Sequence, residues 1–294
     1  MTSEQEEKNI SDGKDAKINN SELDAVKKDT YVKIKSEFPG ISQELTDTFL
    51  KYFYQDNSIK YKTSNRDIVT KADLEIEKIF TSFIHKRFPK HRVVGEETYD
   101  PHEKERSDWV WYIDPIDGTT NFAHHNEECA IMVGLLHKHR PFYSWINFPV
   151  KNQTYTSIPN EGCYLNGQQI VRIHDREVEL NNSLLGVLQE RSLEEFTKIY
   201  KNVWNKNQGT RIYGCSASLF CRLATGELDA SIIKESYIWE YASGLLIASE
   251  SGCSTHVVNG NLFNDKKTDL ILARDKGLLN NLIPLVNIQK EKLE

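Results

Sequence analysis

Nine consecutive residues, Asp114-Pro115-Ile116-Asp117-Gly118-Thr119-Thr120-Asn121-Phe122, carry two carboxylates three positions apart, then a glycine and two threonines. On an unbroken strand, side chains three apart point to opposite faces. Pro115 cannot donate to a sheet ladder, so the ladder is expected to break there and the chain to curl, bringing both carboxylates to one point. Oxygen-only ligands suit a hard cation such as Mg²⁺. Gly118 permits close backbone approach. Thr119 and Thr120 can open a helix whose free N–H groups would face a phosphate. An Asp-Pro turn and an Asp-Gly cap would explain the dipeptides singly, but not nine residues in this order.

Three further segments carry acids. Glu96, in Gly95-Glu96-Glu97, follows a short apolar run and could reach the same point from a strand end. In the stretch from Lys62 to Asp73, Asp67 and Thr70 read as turn and cap residues. Asp73 falls in a first helical turn, where a carboxylate is favoured in any case. Capping is the stronger reading of that segment taken alone. Glu240, in Trp239-Glu240-Tyr241-Ala242-Ser243-Gly244, has the same helix-dipole explanation, and the small residues after it allow close packing. His124 and His125 read as exposed loop residues, and Lys62 as either a phosphate neighbour or a solvated lysine.

The elements that must hold these residues follow from periodicity. A helical pattern is expected to be interrupted at Pro39-Gly40 and to resume over Ile41 to Tyr54. A second amphipathic helix covers residues 72 to 88 and stops at Pro89. Strands are expected at Arg92 to Val94 and at Asp108 to Ile113, the latter aromatic and β-branched. Ala130 to Leu136 and Pro141 to Phe148 read as a hairpin, and residues 153 to 173 continue the β pattern through turns at Asn160-Glu161-Gly162 and Asn166-Gly167. The last third alternates: strands at Leu184 to Leu188, Arg211 to Tyr213 and Leu228 to Ile233, and helices at Ser192 to Asn205, Ser216 to Thr225 and Ile238 to Ser251. Layered helices and mixed sheets follow.

The 294 residues carry a formal charge of -6, which argues against general nucleic-acid binding. No apolar run is long enough to span a membrane. The N-terminus lacks an apolar signal region, and a cytoplasmic location is expected. The five cysteines are irregularly spaced and indicate neither a disulfide framework nor a zinc site. Residues 1–20 are polar and expected to be disordered. Residues 21–294 are expected to form one domain with two α/β halves, about 21–175 and 176–294.

From about Lys62 to Gly252 these segments, in this order, resemble the inositol monophosphatase family of lithium-sensitive, magnesium-dependent phosphomonoesterases. The resemblance implies an α+β fold, a layered αβαβα sandwich, usually homodimeric, with two or three Mg²⁺ ions. It implies that Glu96, Asp114, the Ile116 carbonyl, Asp117 and Glu240 are metal ligands. Gly118, Thr119 and Thr120 would hold phosphate, with Gly214 and Ser216 lining the substrate pocket. Thr119, with Glu96 or Asp73, would orient a metal-activated water for direct in-line attack on a small soluble phosphate monoester. Thr120 stands where the nucleotidase branch typically has lysine, which leans toward the monophosphatase branch; a phosphatase of NADP or of 3′-phosphoadenosine-type nucleotides, or of fructose 1,6-bisphosphate, is the alternative within the enzymes. Two positions depart from the pattern. Glu240 stands where the family has aspartate, which raises the alternative of a catalytically impaired binding or regulatory protein. Ile233 stands where animal enzymes carry a glutamate that helps bind the inositol ring.

Overall fold

The computed structural model describes residues 25–55, 60–61, 68–103, 107–171, 178–188, 193–258, 262–263 and 267–286. The expected N-terminal tail, Lys62 and Asp67 lie outside them. The chain divides into two compact units, residues 1–38 and 39–294. In the first, the described residues form the opening of helix α1 (Ala25–Phe53), which runs through Pro39 instead of stopping there. Pro39 forgoes the one hydrogen bond its missing N–H would make. Its carbonyl still accepts the Ser42 hydroxyl at 2.9 Å.

In the second unit, a short pair β1 (Lys60–Tyr61) and β2 (Ile68–Val69) precedes helix α2 (Lys71–Arg87). A seven-stranded sheet then forms in chain order: β3 (Arg92–Gly95), β4 (Trp109–Asp117), β5 (Ala130–His137), β6 (Arg140–Phe148), β7 (Gln153–Ile158), β8 (Gly162–Leu165) and β9 (Gln168–Gln169). Helix α3 (Thr119–Ala123) interrupts it after β4. The hairpins are closed by residues that tolerate positive φ, including Asn166 at +50° and Gly167 at +77°. Next come β10 (Leu184–Val187), α4 (Leu193–Val203), β11 (Gly209–Arg211), α5 (Ser216–Thr225), β12 (Ala230–Ser236) and α6 (Ile238–Glu250). Beyond Gly252 the chain adds β13 (Ser254–Val257), β14 (Thr268–Ala273) and α7 (Lys276–Val286). The second sheet has the order β11-β10-β12-β14-β13.

Burial explains the stacking. Strands β4 to β6 are buried on both faces and mostly apolar, as strands covered on both sides tend to be. On one face, Phe80 of α2 packs edge-on to Trp111, and Asn147 of β6 donates to Thr46 of α1 at 2.8 Å. On the other face lie α5 and α6. Met132, Ile146, Phe220, Tyr241, Ile233 and Leu270 join both sheets and these two helices in one core. A second core joins Leu185, Ile232 and Ile271 of the smaller sheet to Ile199 of α4 and Leu282 of α7. The layers therefore run α, β, α, β, α, an α+β sandwich. Close packing of α6 depends on its small residues: a side chain at Gly244 would enter the Phe220 ring.

Four of the five cysteines are buried, Cys253 is partly exposed, and all are free thiols. Among the described residues, no helix is long and apolar enough to cross a membrane.

Candidate active site

The first pair of carboxylates is brought together by a bulge. Strand β4 continues through Pro115 to Asp117, but its register against β5 shifts: Asp114 pairs with Met132 and Asp117 with Ala130. Three steps on one strand oppose two on the other. The extra residue reverses the alternation, so both acids face the same side. The ladder is locally distorted at Pro115, not ended as the sequence led one to expect, and a bulge is where a missing N–H is tolerated.

Gly118 turns the chain into α3 with φ +82°. A Cβ there would lie 2.9 Å from the Glu128 carbonyl, so space and backbone both require glycine. The Thr119 hydroxyl donates to the Ile116 carbonyl at 2.9 Å. Asn121 donates to the carbonyls of Glu128 (2.7 Å) and Tyr213 (2.8 Å), which ties the motif to the segment leading into α5. This brings Gly214, itself at φ +69°, beside Asn121. Phe122 is fully buried between Phe49 and Phe53, at ring separations of 4.8 and 5.5 Å, and anchors α3 to α1. Thr120 is exposed. His125 is exposed, with Nδ1 at 2.7 Å from the Phe53 carbonyl.

Each remaining acid is held by a neighbouring element. Asp117 accepts the backbone N–H groups of Ser216 (3.1 Å) and Ala217 (2.6 Å) and the Cys215 thiol (3.0 Å). Ser216 is buried, its hydroxyl directed at the Glu240 carbonyl at 3.3 Å. It thus links Asp117 to the start of α6. Asp73 sits at the third position of α2, where Oδ2 accepts the Thr70 N–H (2.8 Å) and hydroxyl (2.6 Å). The capping expected of Thr70 and Asp73 is present, and Asp73 also lies close enough to Asp114 to act on its charge. Glu96 follows β3, its N–H bonded to the Ile113 carbonyl at 3.2 Å. Glu240 is at the third position of α6, where Oε2 accepts the Tyr237 N–H (2.8 Å) and the Ser236 hydroxyl (3.0 Å).

The acids perturb one another. Asp114 is pushed well above the ordinary carboxylate range by burial and by the charges of Glu96, Asp117, Glu240 and Asp73. Asp117 is raised by burial, against the opposing bonds from Cys215, Ala217 and Ser216. Glu240 is pushed up to about 7, by burial first and then by Glu96, against the Tyr237 N–H. Four acids, Glu96, Asp117, Glu240 and Asp73, thus act electrostatically on Asp114. Among the described residues no three of them close around one point as a finished ion cage.

The profile of the inositol monophosphatase family matches residues 29–291. The chain belongs to the inositol monophosphatase family. That family comprises phosphoric monoester hydrolases. The chain is 29% identical over 223 residues to the inositol-1-monophosphatase of Bacillus subtilis, covering 75% of this chain and 83% of that protein. It is 30% identical over 220 residues to SuhB of Neisseria meningitidis, covering 74% of this chain and 83% of that protein. The fold resembles the solved Thermotoga maritima IMPase with a TM-score of 0.74 at 24% identity, covering 84% of this chain and 95% of that one.

Against the rest of the inositol monophosphatase family pattern, Ile233 is fully buried and pairs with Leu270 across the smaller sheet, so its side chain belongs to the core. Three bonds around the site were not foreseen from sequence, although Cys215 lies in the segment there likened to a substrate-pocket lining. The Cys215 thiol bonds Asp117. Glu77, one turn after Asp73, is buried and accepts the Glu97 N–H at 2.8 Å, which shapes the turn carrying Glu96. Ser236 bonds Glu240. The i, i+4 spacing of Asp73 and Glu77 on an amphipathic helix was the available signal for the second.

Proposed function

We propose that this chain is a Mg²⁺-dependent phosphatase that hydrolyses the phosphate monoester of a small soluble molecule. The observation that carries the reading is the bulge that turns Asp114 and Asp117 to one side, where Asp114 is raised first by burial and then by the charges of four other carboxylates. Such a cluster is electrostatically unfavourable without a cation. Its donors are all oxygens, which fits a hard divalent ion in kind. Glu96, Asp114, the Ile116 carbonyl, Asp117 and Glu240 would hold Mg²⁺, as two or three ions in the family pattern. The bound ions would supply positive charge for the phosphoryl oxygens and lower the pKa of a coordinated water.

The chain's own residues do the rest. The N–H groups of Gly118 and Thr119, at the opening of α3, would bind phosphate oxygens. Thr120 and Gly214, both on the exposed side, would border the substrate. Ser216 serves this reading by bonding Asp117 and Glu240, not from the open side. The Thr119 hydroxyl, with Glu96 or Asp73, would orient the attacking water for in-line displacement. No side chain is required as a nucleophile. The buried Ile233 removes one polar contact to a polyol leaving group, which leaves substrates other than inositol phosphates open, including NADP-type nucleotides. Lithium sensitivity, a homodimer and a cytoplasmic location accompany this reading as family expectations.

The test is phosphate release from a panel of inositol, sugar and nucleotide phosphates, with Mg²⁺ and with EDTA. Release that requires Mg²⁺ supports the reading, and the best substrate identifies the branch. No release from any compound at millimolar Mg²⁺ would favour a binding or regulatory role.

A further inference from the structure

Helices α2 and α6 begin in parallel ways. At the third position of each, a carboxylate folds back so that one oxygen accepts the N–H of the residue before the helix and a hydroxyl. In α2 both donors come from Thr70, and the acid is the shorter Asp73. In α6 the residue before the helix is Tyr237, which has no short hydroxyl. The hydroxyl comes instead from Ser236, one residue further out. Reaching it takes one more carbon–carbon bond, about 1.5 Å. Both donors fall on Glu240 Oε2, and among the described residues none donates to Oε1. Ser236 is fully buried at the irregular end of β12, where the register shifts between Ile233 and Ser236. Its hydroxyl is thus held in place by the smaller sheet.

We propose that Ser236 is a positioning residue: it pins one oxygen of Glu240 so that the other faces the carboxylate cluster, and the serine and the longer acid work as a pair. This rests on the reading of Glu240 as a metal ligand. Outer-shell hydrogen bonds orient ligands and are worth about 10-fold or more in metal affinity. Glu240 is then an adapted ligand, and the absence of the family aspartate is not a defect.

The test is substrate-free Mg²⁺ binding by calorimetry on the full chain, repeated with Mn²⁺, for Ser236→Ala, Ser236→Thr, Glu240→Gln, Glu240→Asp and the double variant Ser236→Ala/Glu240→Asp. Ser236→Ala is expected to weaken binding about 10-fold, and Ser236→Thr, which keeps the hydroxyl, to restore most of it. In the Glu240→Asp background the shorter acid cannot reach Ser236, so removing the hydroxyl is expected to change affinity by less than about twofold, the scatter of independent sites. Equal losses in both backgrounds would reduce Ser236 to a structural role and overturn the proposal, as would no loss in either. Unchanged affinity in Glu240→Gln would instead overturn the reading of Glu240 as a ligand. Thermal melts in EDTA identify any variant that fails to fold, and Ser236→Thr then carries the comparison: binding near that of the parent supports the pair, and a loss as large as that of Glu240→Gln overturns it.

Discussion

Asp117 Oδ2 accepts the backbone N–H of Ala217 at 2.6 Å, across 100 positions of sequence. The start of α5 has no cap from its own N-cap residue, Cys215. Asp117 supplies it, with Oδ1 taking the Ser216 N–H. One carboxylate therefore caps a helix and faces the acid cluster, and the positive end of α5 offsets part of the charge that burial disfavours.

Asp117→Asn separates these duties. The amide oxygen can still accept one N–H, but the charge is lost. Stability is expected to fall by about 1 kcal/mol, as for a weakened cap. Phosphate release is expected to fall by about 100- to 1000-fold, the scale of losing one electrostatic group at a reaction centre. Chemical denaturation and initial rates check both. Rates near those of the parent protein would remove Asp117 from the site.

The acid cluster sets a pH dependence. Asp114, Asp117 and Glu240 all stand above their ordinary values, Glu240 at about 7. A carboxyl raised on folding contributes stability that is complete below its unfolded pKa, near 4, and is lost as pH rises through the folded value. In EDTA, the melting temperature is therefore expected to fall between about pH 5 and pH 8. Glu240→Gln is expected to remove part of that fall, on the order of 2 kcal/mol. Mg²⁺ should raise the melting temperature more at pH 8 than at pH 5, because protonated acids do not hold the ion. Glu128 works in the opposite direction: although burial would raise it, Lys151, Ser218 and Arg222 hold it below its usual range, so its stability is lost in acid. A melting temperature that rises steadily from pH 5 to pH 8 in EDTA would contradict the strained cluster.

What the sequence made legible follows physical range. The strand Asp108 to Ile113 and the helix Ser216 to Thr225 are local patterns, and both stand within a few residues of expectation. Asp114 and Asp117 were legible as a pair because the chemistry lies in one short segment. The means of pairing them was not: a bulge depends on β5, whose register no local pattern encodes. Pro39 misled because a missing N–H reads as a stop, whereas a helix of 29 residues tolerates one lost bond. Ser236 was invisible because its bond to Glu240 exists only once β12 ends beside α6.

Gly118→Ala tests the turn itself. The substitution places a side chain at φ +82° and 2.9 Å from the Glu128 carbonyl, so backbone and space are both violated. A left-handed non-glycine residue costs about 1 kcal/mol, and the contact adds to it. A destabilisation of about 2 kcal/mol is expected by denaturant titration. Displacement of the α3 N–H groups should reduce kcat/KM by about 100-fold. A variant of unchanged stability would show that the turn is not constrained.

Asn121→Ala asks whether the two halves of the site are held in register by one amide. Its Nδ2 donates to carbonyls on either side, at Glu128 and Tyr213. The first belongs to the approach to β5, the second to the approach to α5. Removing the side chain leaves two carbonyls without this donor, at a cost of about 1 to 3 kcal/mol. The consequence for function is more specific. Gly118 lies directly against Gly214, a Cβ there falling 3.3 Å from the Gly214 carbonyl, and Asn121 ties down the segment that leads into Gly214, so loosening the bridge separates the proposed phosphate-binding turn from the substrate border. KM is expected to rise several-fold, while the Mg²⁺ affinity measured without substrate stays close to that of the parent, because no acid of the cluster bonds Asn121. A proportional loss of Mg²⁺ affinity would instead indicate that the bridge positions Asp117 through α5, and would assign Asn121 to the metal side of the site.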